Sequence, residues 1–436
     1  MEKPASDAQQ ALVSKTHWRD WVKRIAAFSG LEIVSRVLQM AASLLIVRLM
    51  VKEEFAWYSL AVAFQGMLGF VTMIGAGSAL FAMGGPLIED RRGMGQLLHA
   101  VGRWRFWLMA FSLPVLLPIY GFLLMRNGCP PLTLALLLVF GGLTMWLEIQ
   151  RHMLSAPLEL AQRYNFLQKV DCISAVVRLA GVGVLIACAW IKPVPVMLIS
   201  VVLVGWLPLV LMRKASHAIA DPDVREAPEA MKKRLRALAI AATPSALSYV
   251  AEAQYATLFV ALAGFTAGVA ELGALGRIGL LLTVPAAILG RVIQPRLALI
   301  REDTDLRRAW LRTAGFGLLI GTGMIVGTWL FQDLLLWLLG SEYQYVRADL
   351  MFYAGFLGLS FLTNANGSII EARGWLKRAW VRPFVVIGAM LLATPIVSVA
   401  TVPGAIVLMY VGCLANLATD LFLIIRGFRG LSDVHG

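Results

Sequence analysis

Long apolar runs recur along the whole of this 436-residue chain. Each is about 18–25 residues, the length a helix needs to cross the hydrocarbon of a bilayer. Hydrophobic residues make up 59% of the chain and charged ones only 15%, too little polar surface to coat a soluble fold of this size. The runs predict an all-α polytopic membrane protein with twelve transmembrane helices at about 25–47, 56–84, 106–125, 132–150, 170–190, 196–212, 237–263, 271–290, 313–331, 350–370, 383–400 and 405–425. The first 24 residues, MEKPASDAQQALVSKTHWRDWVKR, hold no apolar core of a cleaved secretory peptide. Trp18 and Trp21, beside basic residues, read as an interfacial lead-in to the first span.

The distribution of basic residues orients the spans. Segments 1–24, 85–105, 151–169, 213–236, 291–312, 371–382 and 426–436 fall on one side and hold 31 of the 39 Lys and Arg. The opposite loops hold Arg48, Lys52, Arg126, Lys192 and Arg347. This bias predicts that both termini are cytoplasmic. It also absorbs the net charge of +13, because basic loops sit near anionic headgroups, so no nucleic-acid partner is needed. The four cysteines show no CxxC spacing and read as buried small apolar residues. The five histidines show no H-x-x-x-H pattern, so no metal site is expected.

The longest polar stretch, residues 213–236, follows the sixth span and reads as a cytoplasmic linker. The expected organisation is a cytoplasmic segment 1–24, an N-terminal six-helix bundle 25–212, the linker, a C-terminal six-helix bundle 237–427 and a tail 428–436. An even number of spans returns the chain to the same side, so the two bundles share one orientation, as in parallel-repeat transporters. A shift of 216 residues lays the polar positions of span 1 on those of span 7, Arg36 falling on Glu252 and Gln39 on Tyr255.

Three basic residues remain inside the expected spans: Arg36, Arg178 and Arg277. Ser29, Glu32, Arg36, Gln39 and Ser43 form one stripe of the first helix, about 80° wide at 3.6 residues per turn. A charge facing acyl chains at that depth costs at least roughly 2.5–3.5 kcal/mol, so the stripe must face protein or a wet cavity. Glu32 and Arg36 can neutralise each other at i,i+4, and Arg36 can also attract an anionic substrate with its spare donors. Span 7 carries a comparable stripe of Ser245, Ser248, Glu252 and Tyr255. Glu252 lies near mid-membrane, which suits a coupling proton or sodium ion, or a contact with Arg178 or Arg277 from another span. Asp171 and Arg178 share a face of span 5. Arg277 begins span 8, about 10 Å from the outer surface by helix rise. Pro114, Pro118, Pro208, Pro244 and Pro285 would break backbone pairing locally within spans.

With these residues in place, the chain resembles the polysaccharide (Wzx-type) flippase branch of the multidrug/oligosaccharidyl-lipid/polysaccharide (MOP) superfamily. IVRLMVKEEFAWYSLA resembles the opening motif, with Ala56-Trp57-Tyr58 where a glycine usually precedes the aromatic. ELGALGRIGLLLTVPAAILGRVIQPRLA resembles the span 7–8 junction, with Arg277 and Pro295 in family-like places, and LLGSEYQYVRADLMFYAGFLGLS resembles the G-x-x-Y start of span 10. The resemblance implies two six-helix bundles around a central cleft lined by spans 1 and 7. It also implies alternating access, with a lipid-pyrophosphate-linked oligosaccharide carried from the cytoplasmic to the periplasmic leaflet of a bacterial inner membrane.

On this expectation Arg36, Arg178 and Arg277 attract the pyrophosphate, and Gln39, Ser43 and Tyr255 serve the sugars. Glu32, Glu252 and Asp171 act in coupling or gating. Membrane lipids, glycosyltransferases and a polysaccharide polymerase are the expected partners. Two rival readings are a cation-coupled multidrug antiporter of the same superfamily and a membrane glycosyltransferase or polymerase. The longest exterior loop, around 332–349, is too short for such an enzyme's catalytic domain. No enzymatic activity is expected.

Overall fold

An apolar backbone in lipid must satisfy its own hydrogen bonds, which leaves helices or a closed barrel. The computed structural model takes the first course: among the described residues there is no strand. Those residues are 18–432, apart from 75, 77–79, 81–82, 295–296, 298–299, 301–302, 374, 376–379 and 399, with side chains described from Gly30 onward at most positions. Ser29, Ser245 and Pro295 lie outside the described side chains.

The first half holds α1 (Trp18–Leu49), α2 (Lys52–Met73), α3 (Arg91–Arg126), α4 (Pro131–Leu160), α5 (Tyr164–Ala187), α6 (Pro193–Ile199) and α7 (Leu207–His217). The second holds α8 (Glu229–Leu262), α9 (Thr266–Ile278), α10 (Thr283–Ile288), α11 (Asp303–Leu330), α12 (Gln332–Leu339), α13 (Arg347–Arg373), α14 (Val381–Ala393) and α15 (Val402–Ser432). Nine helices among the described residues are long and apolar enough to cross a membrane. The other three expected spans fall on the segmented stretch from α6 to α7, on α8 and on the 13-residue α14.

The prolines act unequally. α3 and α8 run through Pro114, Pro118 and Pro244 without interruption. Near Pro208 and Pro285 the backbone instead adopts π turns, at Ser200–Trp206 and Leu289–Ile293. A proline lacks an N–H and crowds the preceding turn; the π turn before Pro208 and the 3-10 turn Gly279–Leu282 before Pro285 absorb that.

Within the first half α1 packs on α5, and α2 on α3 and α4; within the second, α13 packs on α11 and α15, and α8 on α14 and α15. The halves meet through α2 on α9, through α8 on α2 and α3, and through α1 on α9, α10 and α12. One apolar core crosses the boundary, joining Phe55, Leu124 and Val182 to Val260, Leu275 and Tyr343. It lies at the end carrying the short loops poor in basic residues. Toward the linker end Met94 and Leu97 of α3 share a core with Leu235 of α8, while Leu306, Ile370 and Phe428 form another within the second half. The largest core shared by the two halves thus lies at the base-poor end, and α8 joins them again toward the linker end.

Candidate functional site

The polar stripe of α1 is held by its own helix. Arg36 donates from Nε to Glu32 Oε1 at 3.0 Å and from Nη1 to Gln39 Oε1 at 3.2 Å, while Gln39 donates to Ser35 Oγ at 3.2 Å. The Arg36–Glu32 ion pair closes at 2.9 Å. The internal pair expected for Arg36 is therefore present. The pair exists, yet the Arg36 side chain stays 34% exposed while Glu32 is 3% exposed, and a guanidinium has five N–H donors to share. Ile33, Val34 and Val37, which are exposed, project from nearly the opposite side of the helix at about 100° per residue. The stripe thus points away from the exposed apolar face, and Ser43 is buried further along it.

Arg277 sits deeper than the sequence implied. α9 starts at Thr266, five residues ahead of the expected span, which puts Arg277 about 16 Å from that end of the helix. Arg178 on α5 and Glu252 on α8 lie at nearly the same depth, about 14–15 Å from their own base-poor ends. Arg277 lies with Cζ 5.6 Å from the centre of the Tyr58 ring, a cation–π contact. Its Nε is buried and meets no hydrogen-bond partner among the described residues. The ionisable groups that act on it are Tyr58, Tyr353 and a second cation, Arg178, with no carboxylate among them. Tyr58 and Arg178 come from the first half, Arg277 and Tyr353 from the second. Two half-buried guanidiniums whose charges act on each other, with no carboxylate among the groups acting on Arg277, leave a site that an anion can fill.

Glu252 is placed elsewhere. It meets neither Arg178 nor Arg277 but enters a polar cluster inside the second half. Asn416 Nδ2 donates to its Oε2 at 2.8 Å and Ser360 Oγ to its Oε1 at 3.4 Å. The cation acting on it is Arg382, which also pairs with the fully buried Asp420. Tyr255, expected to serve sugars, is bonded to Thr394 Oγ1 at 2.8 Å and stacked on Phe259 at 4.3 Å. Asp171 pairs with Arg151 at 2.5 Å, and Arg151 and His152 contact Glu148 at 3.6 and 3.4 Å. The expected site residues therefore divide among the α1 stripe, the second-half helices that hold Glu252 and Tyr255, the Asp171–Arg151 contact, and Arg178 with Arg277, the pair brought together from separate halves.

Arg105, Arg151 and Arg382 are further arginines that the helices carry past the expected ends of the spans. All three were assigned to loops, but they lie on α3, α4 and α14. Arg105 is fully buried, with its three guanidinium nitrogens meeting no hydrogen-bond partner among the described residues. The i,i+3,i+4 spacing of Glu148, Arg151 and His152 was the available signal for the α4 cluster.

A seal lies on the base-poor side of the arginine pair. Lys52 at the start of α2 binds Glu271 of α9 at 2.7 Å, and the Tyr345 hydroxyl contacts both. Asn127 donates to the Ala261 carbonyl and accepts from Thr266 Oγ1, each at 3.0 Å. Arg48 lies 4.6 Å over the Trp337 ring.

No protein-family model and no curated protein matches the sequence. Solved structures do. A multidrug resistance MATE family transporter of the MOP superfamily, in an inward-facing conformation, aligns over 92% of this chain and 96% of its own, at 15% identity and a TM-score of 0.71. The lipid II flippase MurJ, in an inward closed conformation, aligns over 92% and 89% at 15% identity, with a TM-score of 0.64. A Vibrio cholerae MATE transporter, VcmN, aligns over 95% and 99% at 16% identity, with a TM-score of 0.59. At these identities the likeness is one of fold: two lobes of membrane-spanning helices, shared with these transporters and with this flippase.

Proposed function

We propose that this protein is a flippase that moves a polyprenyl-pyrophosphate-linked oligosaccharide from the cytoplasmic to the periplasmic leaflet for surface or exopolysaccharide synthesis. The observation that carries this reading is the Arg178–Arg277 pair, two guanidiniums contributed by separate halves at mid-depth, with no carboxylate among the groups acting on Arg277. A pyrophosphate supplies the missing charge and accepts several charge-assisted hydrogen bonds at once. Arg36, tethered by Glu32 and Gln39, offers its remaining N–H groups to the same anion. The polyprenyl tail stays in lipid, and the sugars follow the head through the cleft between the halves. Release follows when the seal of Lys52, Glu271 and Tyr345 opens and the linker end closes. Glycosyltransferases would supply the cargo and a polymerase would consume it. That a lipid II flippase shares the fold supports a lipid-linked cargo.

One observation favours a second reading, a cation-coupled multidrug antiporter. The buried carboxylate of Glu252, ringed by Asn416 and Ser360, suits a monovalent cation or a proton. It suits a coupled flippase equally well, and the arginine pair supports an anionic cargo.

The test compares Arg36→Ala and Arg277→Ala strains for protein abundance, surface polysaccharide and drug resistance. Truncating one partner of a buried charge-assisted contact costs about 2–5 kcal/mol of binding, so export should fail while abundance holds. Normal export from a well-expressed Arg277→Ala strain, or lost drug resistance with intact polysaccharide, would overturn the flippase.

A further inference from the structure

Outside the cleft, the first half carries a groove on its linker side. It has a volume of about 430 Å³ and lies between α3, α4 and the segment after α7. His99 and Arg103 of α3 line it, together with His217 of α7. A second hollow of about 480 Å³ shares His217 and adds Val210, Arg213 and Lys214. The floor is built, not loose. The Asp221 backbone N–H donates to the Arg91 carbonyl at 3.0 Å, and a Cβ at Gly95 would lie only 2.4 Å from the Asp221 carbonyl oxygen. Asp221 supplies the one carboxylate of the lining, and its Oδ1 accepts the Asp223 N–H at 3.1 Å.

Depth orders the chemistry of this groove. Measured from the base-poor ends of α3 and α6, Arg103, Arg213 and Lys214 lie about 30–35 Å along the helices. That is the edge of a hydrocarbon layer about 30 Å thick. Phe106, Trp206 and Val210 stand above them within the layer and are exposed at 55%, 62% and 60%. A cationic hollow at headgroup level, continuous with an exposed apolar wall, has the two-part chemistry of a phospholipid.

We propose that this groove binds an anionic phospholipid of the leaflet on the linker side. The phosphate is held by Arg103, Arg213 and Lys214, and an acyl chain lies along Phe106 and Val210. Bound there, the lipid joins α3 to α7 and to the start of the linker, so it stabilises the first half.

The test is thermal unfolding of the purified full chain in detergent, titrated with phosphatidylglycerol or with phosphatidylcholine of the same acyl chains. Phosphatidylglycerol should raise the midpoint saturably and phosphatidylcholine should not. Arg103→Ala with Lys214→Ala should weaken the apparent affinity roughly thirty-fold, since each basic residue near an anionic surface contributes about 1 kcal/mol. Lys233→Ala with Arg234→Ala, on the exposed start of α8, should leave it unchanged. Equal shifts from the two lipids, retained affinity in the groove variant, or equal loss in the α8 variant would overturn the proposal. So would glycerol 3-phosphate reproducing the shift, which would point to a soluble anion. If the double variant does not fold, Lys214→Glu alone, at an exposed position, must show the same direction of loss.

Discussion

At the scale of single residues, the sign of the nearest charge separates the intramembrane arginines: Glu148 acts on Arg105, whereas a second arginine acts on Arg277. A structural arginine is paired, and its removal destabilises by leaving the partner buried and alone. Arg277 has another cation as its neighbour, so its removal relieves repulsion. Arg277→Met is therefore expected to hold or raise the thermal midpoint while abolishing export, a combination that a structural role would not produce. Glu252 makes the complementary case. Glu252→Gln keeps the shape and can still accept from Asn416, but it cannot carry a cation or give up a proton. Substrate binding should survive, whereas acceleration of transport by a proton or sodium gradient in proteoliposomes should fall by roughly 5–150-fold, the usual span of a coupling energy. A gradient response equal to that of the unaltered protein would remove Glu252 from coupling. Arg36, Arg178 and Arg277 were legible as residues because lipid makes an intramembrane charge conspicuous. Their partners were not, because Asn416 lies 164 positions from Glu252 and no local pattern encodes such a distance.

At the scale of elements, run length located the spans but trimmed the ends of the helices. α3 begins at Arg91, fifteen residues before its apolar run, because a helix continues into the headgroup layer where hydropathy no longer favours it. That extension turned Arg105 from a loop residue into a buried one. The G-x-x-Y stretch that resembles the family acquires a physical meaning here. Gly340 ends α12 with φ 105° and ψ 170°, a backbone region essentially reserved for glycine. A Cβ there would also meet Arg48 Cγ at 3.2 Å. The turn drops Tyr343 into the shared core, where it is 1% exposed, and brings Tyr345 to the Lys52–Glu271 pair. Gly340→Ala should therefore cost about 1–3 kcal/mol, seen as a lowered thermal midpoint, and should loosen the seal more than the bundles. An unchanged midpoint would show that the turn relaxes freely.

At the scale of the whole molecule, the question is which end opens and which side of the membrane it faces. The shared core and the Lys52–Glu271 contact describe a protein sealed at its base-poor end, and the excess of basic residues at the other end predicts that the sealed end faces the exterior. Two native cysteines test both statements. Cys188, exposed just past the end of α5, should react with a membrane-impermeant maleimide added outside intact spheroplasts; labelling only after lysis would invert the orientation. Cys129, beside Asn127, is buried within the seal, and burial pushes its thiol up to about 11. The thiolate is the reactive form, so at neutral pH Cys129 should label slowly, and faster only as the pH climbs toward that value. Lys52→Met removes the cation from the buried Glu271 carboxylate and weakens the contact that holds α2 to α9. Leaving such a charge unpaired costs about 3–5 kcal/mol, enough to shift the balance toward the open exterior. Cys129 should then label faster at neutral pH while Cys188 labels as before. If both rates stay as they were, the Lys52–Glu271 pair does not hold the exterior closed, and the seal rests on the apolar core and the Asn127 bridge.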